Sequence, residues 1–451
     1  MSVSARALAT FAVLTGVVAG SAGRATAQFP PEAGPVGPGS AYVGGQPGSM
    51  PGGQPGMMPP GMPMGEPATY EGPTLATDSL GYSGGGSHGP RAWIGAEYLL
   101  YWTKDAPIPF NVATVGPAAG TGIVGATGTR VLFGNTSIDY SNFSGVRVIG
   151  GYWITNNESL GLEANLFILP KKNVGTPALT GSDILPVLAR PFLNTTSNAQ
   201  NSRVLGKPGQ FFGNVQTTSG LELWGAEIGP VWRARDTGRW TFDYLGAFKF
   251  LALNETLTVA DTANTLGGGV SVLQGRAFNS PSSLSVRDEF RVQNNFYGVT
   301  LGARSNLHVE AFTWSLTGKI GLGWMESNLR TTGTSTVSGG STAPLTSVGG
   351  LYASGPSLGD FSKNQFAAIP EFATNLNVQI TSHLGLNVGY NYLYISKVLR
   401  PGEQISGQVN PSFVPTSPNF GALSGPTNST IPLSSSSFWA QGFNLAFVVG
   451  F

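Results

Sequence analysis

The chain has no cysteine, only three histidines, and no more than 10% charged residues among its 451 positions. Each scarcity excludes something. Without cysteine there is no disulfide scaffold and no thiolate chemistry. A formal net charge of +1 gives no electrostatic grip on nucleic acid or on anionic lipid. Beyond the N-terminus no run of about 18 apolar residues occurs, so no helical membrane span is available. Of the histidines, His88 lies in a Gly/Pro-rich stretch and His308 and His383 lie in short connectors. None has the positioned nucleophile and orienting partner that a hydrolase needs. Gly267-Gly268-Gly269 sits in a loop with no helix after it, so it makes no phosphate-binding fingerprint. No enzyme, metal centre or cofactor is expected.

What is abundant points elsewhere. Glycine reaches 65 residues and Thr, Ser and Asn are plentiful, a profile for strands and loops rather than helices. Residues 1–27 have the form of a secretory signal peptide: Arg6, an apolar run from Ala7 to about Gly20, then Ala25-Thr26-Ala27 with cleavage expected before Gln28. Residues 28–90 hold 30 Gly or Pro in 63 positions and are expected to be a disordered linker. Met50, Met57, Met58, Met62 and Met64 fall here. Thioethers bind Cu(I), but irregular spacing without a histidine among them reads as low-complexity drift.

From Ala92 the pattern changes. Ten candidate strands run at about 92–102, 144–154, 160–169, 221–232, 240–253, 289–304, 312–325, 365–379, 384–396 and 437–451. In the seventh, Phe312, Trp314, Leu316, Ile320, Leu322 and Trp324 alternate with Thr313, Ser315, Thr317, Lys319, Gly321 and Gly323. In the last, Trp439, Phe443, Leu445, Phe447, Val449 and Phe451 alternate with mostly small or polar residues. Period two means one oily face and one face suited to water or close packing. A soluble sandwich alternates too, so the connectors decide. Short ones (155–159, 233–239, 305–311, 380–383) alternate with long ones (103–143, 170–220, 254–288, 326–364, 397–436). Short turns at one end and long loops at the other are the pattern of an up-and-down transmembrane barrel. The expected fold is therefore all-β: one antiparallel barrel of about ten strands over 91–451, or twelve if Val131–Tyr140 adds a hairpin. Pro370, in mid-strand, calls for a β-bulge.

Tryptophan placement agrees with a membrane. By parity Trp102, Trp224, Trp232, Trp240, Trp314, Trp324 and Trp439 share the oily face, mostly near strand ends, as an interfacial aromatic girdle would. Trp93 and Trp153 have the opposite parity and need a bulge or an inward packing role. Glu97, Arg147, Glu163, Asn165, Glu227, Lys249, Arg304, Lys319, Glu371 and Asn377 lie on the small-residue faces and are expected to line the interior. On the lipid face an Arg or Lys costs about 2–4 kcal/mol at the midplane.

Two resemblances sharpen this. A last strand ending in Phe451 resembles the closing strand of bacterial outer-membrane barrels, which implies recognition by the barrel-assembly machinery. The run Gly389-Tyr390-Asn391-Tyr392-Leu393-Tyr394, followed by Val398-Leu399-Arg400-Pro401-Gly402-Glu403-Gln404-Ile405, resembles the motif of the beta-barrel porin-7 family. Arg91–Trp102, Leu223–Ile228, Asp288–Arg304 and Phe438–Gly442 fit the same family, with Ile395 where an aromatic residue is usual. The resemblance spans about 91–451 and implies a barrel in the bacterial outer membrane, in contact with its lipids, with the linker in the periplasm.

Function is less legible. The polar interior reads either as a constriction selecting small solutes, a porin-like passage, or as ion pairs filling a narrow barrel. The packed or narrow lumen is favoured, with slow or no free diffusion. The alternative is a structural or surface-binding envelope protein acting through five Ser/Thr/Asn/Gly-rich outer loops.

Overall fold

A strand with one apolar face can turn that face to hydrocarbon, provided its N–H and C=O groups are satisfied by a neighbour on each side. The computed structural model describes residues 75–78, 81–84, 91–181, 186–339, 342–426 and 431–451, and ten long strands meet that condition. They are β1 (Ala92–Thr103), β2 (Asn142–Trp153), β3 (Leu160–Gly175), β4 (Phe211–Asp236), β5 (Trp240–Thr265), β6 (Ser283–Val309), β7 (Phe312–Gly339), β8 (Gly359–Gln379), β9 (Leu384–Leu399) and β10 (Ser435–Gly450). Each pairs antiparallel with the next, and β10 pairs with β1 from Gly450↔Trp93 to Ala440↔Thr103, so the ring closes. The Phe451 amide extends this seam, donating to the Ala92 carbonyl at 2.8 Å. All ten expected strands are present, and the ring has no further member.

The expected signal peptide (1–27) and most of the expected linker (28–90) lie outside the described residues. Within the linker stretch, Leu75–Asp78 and Gly81–Gly84 pair as a short hairpin.

The oily faces point outward. On β7, Phe312, Trp314, Leu316, Ile320 and Trp324 are exposed. Trp314 and Trp324 stand ten residues apart, about 33 Å of strand, or about 25 Å of bilayer at the usual tilt. Beyond Trp324 the outward face continues as Glu326, Asn328, Arg330, Thr332, Thr334, Thr336 and Ser338, which suits water. This corrects the expected strand ends: β4 to β7 run to 26, 26, 27 and 28 residues, while β1 and β2 have 12. Apolar alternation stops where hydrocarbon stops, but the hydrogen-bonded ladder continues, so the hydropathy signal ends too soon.

The expected bulge at Pro370 is also corrected. Pro370 pairs with Ile320 on β7 in unbroken register. On its other side the β8–β9 ladder covers Glu371↔Leu393 to Gln379↔Gly385 and stops there. A residue without an N–H cannot extend a ladder, so the wall parts above it. Across the gap the Ala368 amide donates to Ser396 Oγ at 2.9 Å, and β9 takes a register shift between Ile395 and Val398.

The long loops do not project as expected; most of them turn back into the barrel. Ala106–Gly116 and Arg130–Ile138 from the first loop join Val187–Asn194 and Ala199–Gly206 from the second in a small sheet. Gln408–Val409 from the fifth adds a parallel edge. The Val131–Tyr140 stretch thus makes a strand, but in this internal sheet and not in the ring. Phe110, Val112, Leu188, Phe192, Tyr352 and Val409 pack with the inward residues Leu251, Phe296, Met325, Ile369 and Phe438 in one apolar core. The loops look hydrophilic as a whole, yet they supply many side chains of this core.

Candidate functional site: a charged chamber beneath a folded plug

The interior has two storeys. In the outer one, level with Trp324 and beyond, the inward side chains are mostly apolar and the loop-built plug occupies much of the space. In the inner one they are charged, and a cavity of about 160 Å³ remains.

Nine of the ten polar residues expected on the interior line this chamber: Glu97, Arg147, Glu163, Asn165, Glu227, Lys249, Arg304, Lys319 and Glu371. Asn377, 5% exposed, faces inward nearer the short turns. Four cations meet four carboxylates. Arg304 grips Glu163 with two bonds of 2.7 Å, and Arg147 donates to Glu97 and to the Tyr101 hydroxyl, both at 3.1 Å. Lys249 bonds Glu227 at 2.9 Å and also Glu371, and Lys319 bonds Glu227 at 2.8 Å. Desolvated charges persist only when paired in this way, and the fork of Arg304 matches a carboxylate edge to edge. These ties cross the barrel as well as follow the wall: Glu163 on β3 reaches Arg304 on β6, and Glu371 on β8 reaches Lys249 on β5.

Trp93 and Trp153 take the inward role that their parity demanded. Their ring centroids are 5.7 Å apart, and with Ile149, Val231, Leu245 and Val448 they form a buried cluster toward the short turns. Glycine makes the room: a Cβ on Gly151 would collide with the Trp93 ring. The Arg233 guanidinium lies 4.6 Å from the Trp153 ring and bonds Asp243 at 3.3 Å and Glu158 at 3.2 Å.

On the outer face, Trp102, Trp232, Trp240, Trp314 and Trp324 are exposed, and Trp224 and Trp439 are half-buried against neighbours. A chain of ring contacts crosses β4, β5 and β6 near the long-loop end: Trp224–Phe250 at 4.8 Å and Phe250–Tyr297 at 5.1 Å. A separate ring contact, Trp324–Phe366 at 6.1 Å, joins β7 to β8. Phe451 is exposed at the opposite end.

The plug is fastened by residues that sequence reasoning missed. Arg190, fully buried, bonds Asp261 on β5 and Asp288 on β6, each at 2.7 Å. Arg203 adds a 3.0 Å pair to Asp261, so two cations balance two carboxylates. Asp288 also accepts from the Tyr352 and Ala353 amides at 3.0 and 2.9 Å. The Tyr352 hydroxyl lies 3.1 Å from the Asn111 and Pro191 carbonyl oxygens. Burial pushes that hydroxyl up to about 12, against the pull of Arg190, so it stays a donor. A second fastening uses the family-like motif itself. Arg400 bonds Glu255 on β5 twice at 2.8 Å and the Asp105 carbonyl at 2.9 Å. Leu399 exchanges backbone bonds with the Asn294 side chain at 2.9 and 3.0 Å. Gly402 lets the chain pass so close that a Cβ there would strike the Pro107 carbonyl. Asp261, Glu255 and Asp288 were hidden because they lie on strand extensions whose outward residues are polar, so no alternation flagged them.

His308 is held between Thr313 Oγ at 3.1 Å and Thr241 Oγ at 3.5 Å, and His383 bonds its neighbour Ser382. Neither joins a nucleophile to an orienting acid. Among the described residues no cluster of His, Asp or Glu could hold a metal ion.

Comparison with known proteins gives the family. The family model Putative beta barrel porin-7 (BBP7) matches residues 93–451. No curated protein matches the chain in sequence. Among solved structures, the outer membrane protease OmpT of Escherichia coli aligns over 80% of this chain and 97% of its own, with 7% identity and a TM-score of 0.34. The P. putida toluene transporter TodX aligns over 80% and 90%, with 8% identity and a TM-score of 0.19. A Pseudomonas aeruginosa FadL homologue aligns over 80% and 90%, with 7% identity and a TM-score of 0.22. Scores this low carry nothing about activity. With a closed ten-strand ring and a match over nearly its whole length, the chain belongs to the beta barrel porin-7 family of outer-membrane barrels.

Proposed function

We propose that the protein is a gated outer-membrane passage for small polar solutes, closed in the state described. The observation behind this reading is a charged chamber of about 160 Å³ in the membrane-spanning half, covered by folded loops rather than by the wall itself. A barrel that needed only filling is served as well by apolar side chains, since replacing buried ion pairs with packed hydrophobic groups is often neutral or stabilising. Placing the plug's hold on Arg190 and Arg400 concentrates it in two polar anchors that a change of ligand or field can release. In this reading the long loops face outward, the linker lies in the periplasm, Trp224 and Trp324 belong to an interfacial girdle, and Phe451 is read by the assembly machinery. No catalytic step is involved.

The experiment is planar-bilayer recording of the refolded full chain. Wild type is expected to give rare openings or none, and Arg190→Ala/Arg400→Ala stepwise currents. A double variant that inserts and remains silent would refute passage. It would favour the second reading, a surface or structural role, which draws on the long polar outer faces of β4 to β7 above the membrane.

A further inference from the structure

A second cavity, of about 480 Å³, lies at the long-loop end between the plug and the outer extensions of β5 and β6. Its volume is in the range of small-molecule sites. Much of its wall is apolar: Phe192 and Leu351 from the plug, Val272 from the hairpin that follows β5, Leu284 on β6, and Pro411 and Val414 from the last loop. Exposed Val270, Pro418 and Asn419 mark its mouth. The hairpin is not adrift, because the Gln274 amide donates to the Pro415 carbonyl at 2.7 Å.

Polar side chains share this lining: Asn201, Ser202, Thr416, Ser417 and Asn419, and with them Arg203 and Ser271, which bear on what it could hold. Ser271 is 3% exposed and its Oγ has no partner among the described residues, so its hydroxyl is free to meet a group in the cavity. Arg203 uses Nε and Nη2 on Asp261, at 3.1 and 3.0 Å, and its Nη1 has no partner among the described residues. Among the described residues no carboxylate lines the cavity, and Asp261 meets the guanidinium on its other edge. A guanidinium edge and a hydroxyl lining one cavity suit a carboxylate, and the apolar part of the lining suits a hydrocarbon.

We infer that this cavity binds a small monocarboxylate with an apolar tail, taken from outside the cell. The carboxylate meets Arg203 Nη1 and Ser271 Oγ, and the tail lies against Phe192, Leu284, Leu351 and Val414. The inference does not depend on whether the barrel conducts.

Its test is calorimetric titration of the full chain in lipid nanodiscs with octanoate, with empty nanodiscs as the blank and 1-octanol as the uncharged counterpart. Octanoate should bind saturably at one site. Arg203→Gln should weaken octanoate at least tenfold and leave octanol within twofold. Ser271→Phe, which touches no ion pair and fills the cavity, should weaken both at least tenfold, and a wild-type heat-modifiable gel shift shows that this variant is folded. Absence of saturable binding, or octanoate binding unchanged in folded Ser271→Phe, overturns the site. Equal binding of octanol and octanoate overturns the choice of ligand class.

Discussion

The two storeys of the barrel interior face the same problem and solve it in opposite ways. In the inner storey ten strands enclose too little room for a folded insert, and the wall fills the space with its own long side chains. Charge pairs such as Arg304–Glu163 span the bore because no water-rich alternative exists for them. In the outer storey β4 to β7 stand far taller than β1 and β2, and a four-loop insert packs there as a soluble core would. The difference teaches that the barrel's charge is not spread evenly. Below, it rings a chamber as a connected set of pairs, and above it is confined to a few fastenings in a mostly apolar setting.

Five substitutions break or sharpen that contrast. The largest effect is expected from Arg400→Ala, which strands Glu255 among apolar residues; losing one partner of a buried pair costs about 3–5 kcal/mol. Urea unfolding in micelles measures it, and a loss below about 1 kcal/mol would mean that Glu255 finds water, which a sealed outer storey forbids. Next come two neighbours on β3. Leu166 is 52% exposed on the outside and Asn165 lines the chamber. Leu166→Arg should cost about 2–4 kcal/mol and impair membrane assembly, while Asn165→Arg is tolerated. Comparable assembly yields for the two would void the assignment of faces. Gly402→Ala forces the plug away from Pro107 and should cost about 1–3 kcal/mol, read as faster protease cleavage of the loops with the ring intact. Cleavage at the wild-type rate would show the plug to be less tightly seated than its contacts imply. Smallest is Ser396→Ala, worth about 1 kcal/mol through one lost hydrogen bond. Its signature is quicker amide exchange at Ala368 alone; acceleration along all of β8 would point to a wider loosening of the wall.

Much of the ring was legible in the sequence because lipid imposes a strict rule. Leu160, Leu162, Leu166 and Ile168 had to share a face, and the positions between them had to face in, so strand number and the chamber's lining followed from parity. The plug was not legible, for a physical reason. Val187–Asn194 reads Val-Leu-Ala-Arg-Pro-Phe-Leu-Asn, and nearly every residue in it is buried, so it has no alternation to detect. Its arginine and proline argue against a buried strand unless Asp261 and Asp288 are already known to be waiting. Pro370 was noticed, but whether a proline makes a bulge or ends a ladder depends on its neighbour, and β9 is what supplies the answer.

That ladder end has a mechanical consequence. Below Pro370 the barrel is a continuous hoop, and any stretch of its girth must break backbone bonds in rows. Above it the wall is a split collar, clasped by the Ala368–Ser396 bond and by Ser435 on Gln365 at 2.8 Å. Strain arriving from the plug or from the surrounding lipid can be relieved at this split, and the outer rim can widen there while the hoop beneath keeps its gauge.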